Sequence, residues 1–312
     1  MTADLLAPLQ FIGGSGGSQH KVKGWERGQR IRKIEVFVGG SQIKAIRLWL
    51  TGDGDYQEFG RPGDHPSKEF TFQDDEQVTS MSLWGNGVGT RAGAIKFKTS
   101  LNRTFDYGMT GRSRKKEYKV DVGSGIMVGA IYNAGEDIDA QGYYFLSSSV
   151  LNGHLGSLKY GSLNGRVEPE TLDSFAQTNR SSGPVSWTFS GEKEVILSKK
   201  WTSSTEQSFK VTEIAGAEVP SFSLQSSFEW ETRQTSSYDR ETTERKTLSW
   251  SNSGQLRTNE SISLTAITRK GTLSVPYTAT VTINLTNGSR FEFLESGTFT
   301  GIAYTSVEIQ NT

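Results

Sequence analysis

Strict alternation of apolar and polar side chains is the feature that most constrains the fold of this chain. In the stretch SVPYTATVTINLTNG, which begins at Ser274, apolar residues occupy every second position from Val275 to Leu285. This period of two matches a β-strand with one buried face. No segment longer than about ten residues keeps the period of 3.6 that a helix requires. The chain is therefore predicted to be all-β.

Turn signals join the alternating segments into hairpins. Asn287-Gly288 is a turn dipeptide, and RFEFLE, Arg290–Glu295, is predicted to return as the paired strand. KIEVFVGG and IKAIRLWL are predicted to pair through Gly39-Gly40, and SFSLQSSFEW, Ser221–Trp230, alternates in the same way. Most of the chain is thus predicted to form antiparallel strands.

The two halves of the chain differ in composition. Glycine is concentrated before Thr171, whereas serine and threonine dominate after it. A turn-rich, weakly patterned stretch, Ser147–Gly165, lies between them. We predict a first domain at residues 1–148 and a second at residues 149–312.

Composition excludes several functions. The net charge is zero, so no global field favours nucleic acid, and the absence of cysteine excludes disulfides and thiol nucleophiles. The three histidines have no metal-ligand spacing, and no nucleophile elbow surrounds a serine. We expect no enzymatic activity, no metal, no cofactor and no nucleic-acid partner, and a glycan-processing enzyme remains the weakest alternative.

The amino terminus carries no recognised targeting pattern. MTADLLAPLQF lacks a basic n-region and a long apolar core, and no apolar run approaches the roughly 18 residues of a membrane helix. We expect a protein that is soluble as made, released from the cell without a cleavable signal peptide, and active at a target membrane.

Two loops are candidates for a binding site. The stretch NAGEDIDAQGYYFL places Glu136, Asp137 and Asp139 close together, directly before an aromatic strand. In FIGGSGGS, glycine pairs flank Ser15 and allow backbone to approach a ligand without a Cβ in the way. A plain glycine turn at a sheet corner is the alternative for the second loop.

Read in order, the first-half motifs resemble the jacalin-related lectins over about residues 8–147. They are GGSGG, a hairpin ending in LWL, KFKTSLNRTFDYG, and GSGIMVGAIYNAGEDIDAQGYYFL. Gly135–Asp139 fits the G-x-x-x-D sugar-binding loop of that family. The resemblance implies a β-prism of three four-stranded sheets.

The resemblance also implies roles for individual residues. The carboxylate of Asp139 accepts hydrogen bonds from sugar hydroxyls, and such charge-assisted bonds are strong. The backbone amides of Glu136 and Asp137 donate to the sugar hydroxyl oxygens, while the carboxylates of these two residues point to water. Gly17 closes the site. For Asp137, the alternative is a solvated acid in a turn, with no role in binding. The predicted carbohydrate-binding residues are Gly17, Gly135, Glu136, Asp137, Ile138 and Asp139.

Two further loops bear on the ligand. Mannose-type glycans are expected as ligands, and their specificity is expected to be set around WGNGVGT, Trp84–Thr90. One sugar site per chain is expected, because the loop VGGSQIKA carries no acid that could form a second site. The basic cluster Arg112, Arg114, Lys115 and Lys116 is either a solvated loop or an aid in approaching an anionic cell surface.

The second half resembles the aerolysin-type pore-forming proteins. RKGTLSVPYTATVTINLTNGSRFEFLESGTFTGIAYTSVEI and EVPSFSLQSSFEWETRQTSS carry that resemblance, and a jacalin-like module ahead of them resembles the natterin-like proteins. This implies an elongated module that forms a homo-oligomer and inserts a β-barrel pore.

The membrane hairpin is predicted at Pro184–Ala217, with its tip at Gly191–Lys200. A static surface hairpin is the alternative. The predicted membrane-insertion residues are Val185, Trp187, Phe189, Val195, Ile196, Leu197, Phe209 and Val211. The sequence as a whole predicts a glycan-binding, pore-forming cytolytic toxin of innate immunity, and a lectin or agglutinin with a structural stalk is the second possibility.

Overall fold

The computed structural model of the chain describes residues 4–87, 89–111, 113–162, 164–204, 209, 211, 213–215, 237–238 and 240–312. Over these residues the regular elements are β-strands, together with one 3-10 helix, Gly24–Arg27. The predicted all-β class is confirmed. No helix in the described ranges has the length and apolar character needed to cross a membrane.

The chain divides into two compact units that are discontinuous in sequence. One unit comprises residues 1–154, 205–211 and 281–294, and the other comprises residues 155–204, 212–280 and 295–312. The predicted boundary at residue 148 stays a prediction.

Three four-stranded antiparallel sheets account for most of the first unit. The first has the order β1-β12-β11-β2, and its strands are β1 (Ile12–Gly13), β2 (Ser18–Lys23), β11 (Met127–Ala134) and β12 (Ile138–Phe145). The acidic loop is the connection between β11 and β12, whose register shifts at Asn133 and Ala134.

The second sheet contains the predicted hairpin through Gly39-Gly40. Its order is β5-β4-β3-β6, and its strands are β3 (Ile31–Val38), β4 (Ile43–Leu50), β5 (Gln57–Gly60) and β6 (Ser67–Thr71). Val36 lies opposite Ile46, and both side chains are fully buried.

The third sheet has the order β10-β7-β8-β9. Its strands are β7 (Val78–Gly85), β8 (Ala92–Thr99), β9 (Thr104–Gly108) and β10 (Tyr118–Val120). Ile34, Phe97 and Tyr132 belong to three different sheets and to one buried hydrophobic cluster. One core therefore fills the space between the sheets, and the predicted prism of three sheets is confirmed.

Over the described residues, nine strands form the remaining sheet, and six of them have eleven residues or more. Its order is β17-β16-β13-β19-β20-β15-β18, with β14 and β21 also paired to β19. The strands are β13 (Val150–Tyr160), β14 (Asn164–Thr178), β15 (Val185–Ser203), β16 (Glu213–Ala215), β17 (Ser237–Tyr238), β18 (Glu241–Leu256), β19 (Ser261–Leu285), β20 (Arg290–Tyr304) and β21 (Glu308–Asn311).

The alternation that predicted strand β19 is visible in its burial. Every second side chain from Val275 to Leu285 is buried, as the sequence predicted. The Asn287-Gly288 turn follows, with Gly288 at a φ of 84°, a left-handed conformation that favours glycine. The predicted β19–β20 hairpin is confirmed.

The predicted membrane hairpin is wrong in its tip. β15 runs without a turn from Val185 to Ser203, and Val185–Lys200 pairs with Leu256–Glu241 of β18. The charges that indicated a solvated tip are cross-strand partners instead: Arg245 Nη1 lies 2.9 Å from Glu194 Oε1, and Lys200 Nζ lies 2.8 Å from Glu241 Oε2. Facing charges of opposite sign stabilise a continuous pair of strands.

The prediction that Val185, Trp187 and Phe189 share a hairpin with Phe209 and Val211 is also wrong, because β18 is the partner of those β15 residues. Phe209 and Val211 belong to the first unit, where the Phe209 ring lies 5.3 Å from that of Phe291.

The predicted membrane-insertion residues also differ in how deeply they are buried. Trp187, Phe189 and Val195 are buried, Val185 and Leu197 are half-buried, and Ile196 is 55% exposed. Residues 205–208, 210, 212 and 216–217 of the predicted hairpin, the segment Ser221–Trp230, and Arg112 lie outside the described residues.

Candidate functional site

The side chain of Ile138 connects the acidic loop between β11 and β12 to the hydrophobic core. Ile138 is fully buried in the core, and the alternation of a strand turns the next side chain, Asp139, toward the opposite face. The amide of Gly135 donates to the carbonyl of Asp137 over 3.1 Å and closes the turn. The backbone of the loop thus presents Asp139 at the surface.

The glycine loop lies directly against Asp139. The amide of Gly14 donates to the carbonyl of Asp139 over 2.8 Å. A Cβ on Gly16 would lie 2.9 Å from Oδ1 of Asp139, and one on Gly17, whose φ is +70°, would lie 2.8 Å from Oδ2. Glycine is therefore required at position 17, where a Cβ would also lie 2.7 Å from the carbonyl carbon of Ala134, whereas a side chain at position 16 would displace the carboxylate of Asp139. The predicted neighbours Gly17 and Asp139 are brought together.

A cleft of about 490 Å³ opens beside Asp139. This volume lies within the range typical of small-ligand sites. Besides Asp139, the wall is formed by the glycine loop and by the loop after β7; its residues are Gly14, Ser15, Gly16, Asn86, Gly87, Gly89, Thr90 and Arg91. The stretch predicted to set specificity thus lines the cleft, although its effect on specificity stays a prediction.

The carboxylate of Asp137 does not point to water, and this prediction is wrong. The side chain is 6% exposed and forms an ion pair with Lys44 Nζ. Gln42 Nε2 donates to Oδ2 over 3.0 Å, and Arg91 Nε lies 3.1 Å from the same oxygen. Asp137 therefore ties the acidic loop to the β3–β4 hairpin, because that hairpin supplies a cation and an amide donor of the kind that a buried carboxylate requires.

Burial and hydrogen bonding act in opposite directions on Asp137. Burial raises the pKa of this carboxyl, but the hydrogen bonds from Lys44 and Gln42 and the positive charges of Lys44 and Arg91 together bring the pKa below its ordinary value. Asp137 is consequently ionised at neutral pH.

Glu136 directs its carboxylate to solvent, as predicted, and the role of its amide stays a prediction. Its side chain is 69% exposed and lies 3.1 Å from Nη1 of Arg61. Exposed pairs of this kind contribute little to stability. Glu136 therefore contributes its backbone to the loop, and its carboxylate is a surface group.

Arg91 is the site residue that the sequence did not reveal. Its Nε lies 3.1 Å from Oδ2 of Asp137 and 3.5 Å from Oδ1 of Asp139, and its side chain is 51% exposed. The guanidinium thus has donors on the cleft side as well as on the carboxylate side. Nothing in the local pattern GTRAG marks Arg91 as a partner of the acidic loop.

The cleft therefore combines an ionised acceptor, cationic donors and backbone free of Cβ atoms. Asp139 can accept from two neighbouring hydroxyls, while Arg91 can donate to hydroxyl oxygens. A ring that carries adjacent hydroxyl groups is complementary to this arrangement.

Comparison with known proteins matches part of the chain to a domain family and nearly all of it to a solved structure. Residues 9–144 match the jacalin-like lectin domain. The crystal structure of a lamprey immune protein is 32% identical in sequence, covers 99% of this chain and 99% of its own, and superposes with a TM-score of 0.82.

Lectins of known structure match less than half of the chain. A Malaysian banana lectin is 27% identical and covers 45% of this chain and 98% of its own, with a TM-score of 0.38. A mannose-binding lectin from Champedak is 21% identical and covers 43% and 92%, with a TM-score of 0.37. No curated protein sequence matches the chain.

Proposed function

We propose that this chain, which belongs to the same family as the lamprey immune protein, binds mannose-type glycans on a cell surface and then perforates the membrane beneath them. In that family, the natterin-like proteins, a jacalin-like lectin domain precedes an aerolysin-type region. Carbohydrate binding follows from the lectin domain itself. What we propose beyond carbohydrate binding is specificity for mannose, perforation of the membrane and a role in immune defence.

The cleft around Asp139 is the observation that supports glycan capture. Asp139 is half-buried against the glycine loop, so its carboxylate is already oriented before a ligand arrives. A preorganised acceptor loses less conformational entropy on binding than a mobile one. Mannose offers neighbouring hydroxyls of the kind that such a carboxylate accepts in pairs.

The paired strands β15 and β18 support the proposal of perforation. We name them the ribbon, Val185–Ser203 with Glu241–Leu256. One face of the ribbon carries Trp187, Phe189 and Trp250, which are buried in a cluster with Leu264 and Ala266.

The opposite face of the ribbon carries small hydroxyl side chains. Ser186, Thr188 and Ser190 on β15 are exposed, as are Ser249, Ser251 and Ser253 on β18. A sheet that is apolar on one side and hydroxylated on the other suits an environment with lipid on one side and water on the other. The apolar face is buried within the protein in this structure, so exposing it to lipid requires the ribbon to separate from the strands it packs on.

The ladder that joins the ribbon to β20 is short. β15 pairs with β18 along Val185–Lys200, whereas it pairs with β20 over Ser198–Ser203. β18 stands at the end of the strand order, next to β15. Separating the ribbon from β20 therefore breaks fewer backbone hydrogen bonds than separating its two strands from each other.

Glycan capture precedes perforation in this proposal. Binding to surface glycans concentrates several copies in one plane, which raises the effective concentration for assembly of a homo-oligomer. A contact between different faces of neighbouring copies closes into a ring when the rotation fits. Release of a trapped dye from vesicles that carry mannosylated lipid tests the whole sequence of events.

A further inference from the structure

A second cleft, of about 330 Å³, lies on the sheet formed by β10, β7, β8 and β9. It shares no lining residue with the cleft around Asp139. We call it the basic cleft and define it by Ser80, Ser82, Lys96, Lys98, Glu117 and Lys119. Glycan capture at Asp139 does not require it.

Strand register places the lysines of the basic cleft around two hydroxyl groups. Lys119 lies opposite Ser82, which in turn lies opposite Lys96, and Ser80 lies opposite Lys98. Residues opposite each other on one face of a sheet have Cβ atoms about 5 Å apart. Three ammonium groups thus surround two serines on the outer face, while Met81, Phe97 and Val120 are buried on the other.

Positive charge exceeds negative charge in this region. Lys96 Nζ lies 3.6 Å from Oδ2 of Asp106, and the carboxylate of Glu117 accepts a hydrogen bond of 2.6 Å from Ser82. Lys98 and Lys119 are exposed, and neither forms an ion pair with another residue in the described ranges. Two cations are therefore available to a ligand.

The basic loop that precedes β10 adds to this positive charge. The guanidinium of Arg114 lies 4.9 Å from the centre of the Trp84 ring, and Nζ of Lys116 lies 4.8 Å from the centre of the Tyr118 ring. These cation–π contacts fix two charges of the sequence cluster against the same sheet.

We infer that the basic cleft binds a sulfated glycan chain. A lysine ammonium group is a compact charge with three donors, and a sulfate group offers oxygen acceptors to such donors and to serine hydroxyls. Lysines on β8 and β10, which flank the serines of β7 on both sides, match a linear chain with repeated negative charges.

The lining of the basic cleft favours this ligand over a bilayer of anionic lipid. Surfaces that bind in the membrane interface insert apolar side chains among the lipid headgroups. In the basic cleft, Met81 is 2% exposed, Phe97 is 1% exposed and Val120 is 8% exposed. These side chains belong to the core and do not project from the surface.

Fluorescence anisotropy with a labelled heparin oligosaccharide tests the inference on the full chain. The unmodified protein should bind the probe, and added salt should weaken the complex because the charges are exposed. Lys98→Ala combined with Lys119→Ala should lower the affinity by about tenfold, since two charge-assisted contacts are lost. The matched control is Lys21→Ala with Lys246→Ala, which removes two exposed lysines elsewhere and should bind nearly as well as the unmodified protein.

Three outcomes would overturn the inference. They are no binding of the heparin probe, equal binding of heparin and desulfated heparin, and equal loss of affinity in the cleft variant and in the control. If the cleft variant loses binding to phosphatidylserine vesicles while its affinity for heparin is unchanged, the surface recognises lipid and the inference is also wrong. Retention on mannan resin shows that each variant is folded, and it should not change in either double variant.

Discussion

Arg91 places its guanidinium Nε 3.5 Å from Oδ1 of Asp139 and thereby connects the loop after β7 to the acidic loop. The same nitrogen lies 3.1 Å from Oδ2 of Asp137. One cation thus fixes both carboxylates before any sugar binds.

Replacing Asp139 should strongly weaken glycan capture. Asp139→Asn keeps the shape of the side chain but removes the charge, so the charge-assisted hydrogen bonds to hydroxyls are lost. Hydrogen bonds to charged groups contribute about 1.5–3 kcal/mol, which corresponds to about a 10- to 100-fold weaker complex. Titration calorimetry with a mannose oligosaccharide measures this change.

Glu136→Gln is the control in the same loop, because its carboxylate faces solvent. It should change the affinity for the mannose oligosaccharide by less than about twofold. Undiminished binding by Asp139→Asn would place the sugar elsewhere.

Replacing Arg91 should weaken sugar binding without unfolding the protein. In Arg91→Ala, Asp139 loses a cation that orients it, whereas Asp137 keeps Lys44 and Gln42. A half-exposed ion pair of this kind contributes about 0.2–1 kcal/mol, so an affinity loss of about two- to fivefold is expected. Tighter binding by Arg91→Ala would mean that the arginine competes with the sugar for Asp139.

Asp137 should stabilise the protein at neutral pH and lose this effect in acid. Its pKa is lowered in the folded protein, so its contribution is present above the pKa of the unfolded chain, about 3.9, and disappears as pH falls below that value. Asp137→Asn should therefore melt at a lower temperature than the unmodified protein at pH 7, with a deficit of about 1–3 kcal/mol.

The difference between the two proteins should narrow as pH falls below about 4 and close once pH passes below the lowered pKa of Asp137 in the folded protein. Thermal unfolding followed by circular dichroism at several pH values checks this trend. A difference in melting temperature that is constant with pH would show that the effect of the substitution is steric.

Locking β15 to β20 should stop perforation. Thr202 and Thr298 are paired across these strands, and the chain has no cysteine, so Thr202→Cys with Thr298→Cys introduces a single possible disulfide. If the ribbon must separate from β20, the oxidised variant should not release dye, and reduction should restore release. Residues paired across neighbouring strands have Cα separations compatible with a disulfide.

The matched control places the disulfide within the ribbon. Ser190 and Ser251 are exposed partners on β15 and β18, and Ser190→Cys with Ser251→Cys joins them. This variant should release dye in both redox states. Equal release by the oxidised and reduced forms of the β15–β20 variant would exclude the ribbon as the moving element.

The sequence predicted the parts of the structure that depend on local patterns. Alternation predicted the strand through Val275–Leu285. The resemblance to the jacalin-related lectins, carried by the G-x-x-x-D pattern, implied that Gly17 lies beside Asp139. The burial of Asp137 could not be read in this way, because its partner Gln42 is 95 positions away in the chain. A local pattern shows three acids in a turn, and it does not show which cations the fold brings to them.

The error over the hairpin tip has a related cause. The charges of GEKEVILSKKW are typical of an exposed turn, but Glu194 and Lys200 face Arg245 and Glu241 on β18. Cross-strand partners neutralise a charged strand as well as water solvates a charged turn. Only the pairing of β15 with β18 distinguishes the two cases.

Dye release from vesicles bearing mannosylated lipid is the most direct measurement of the proposed function. The unmodified protein should release dye from these vesicles and leave vesicles without the sugar intact, and Asp139→Asn should release none from either. Aggregation of the mannosylated vesicles without loss of dye, over the full range of protein concentration and pH, would contradict perforation and leave a lectin that only cross-links glycans.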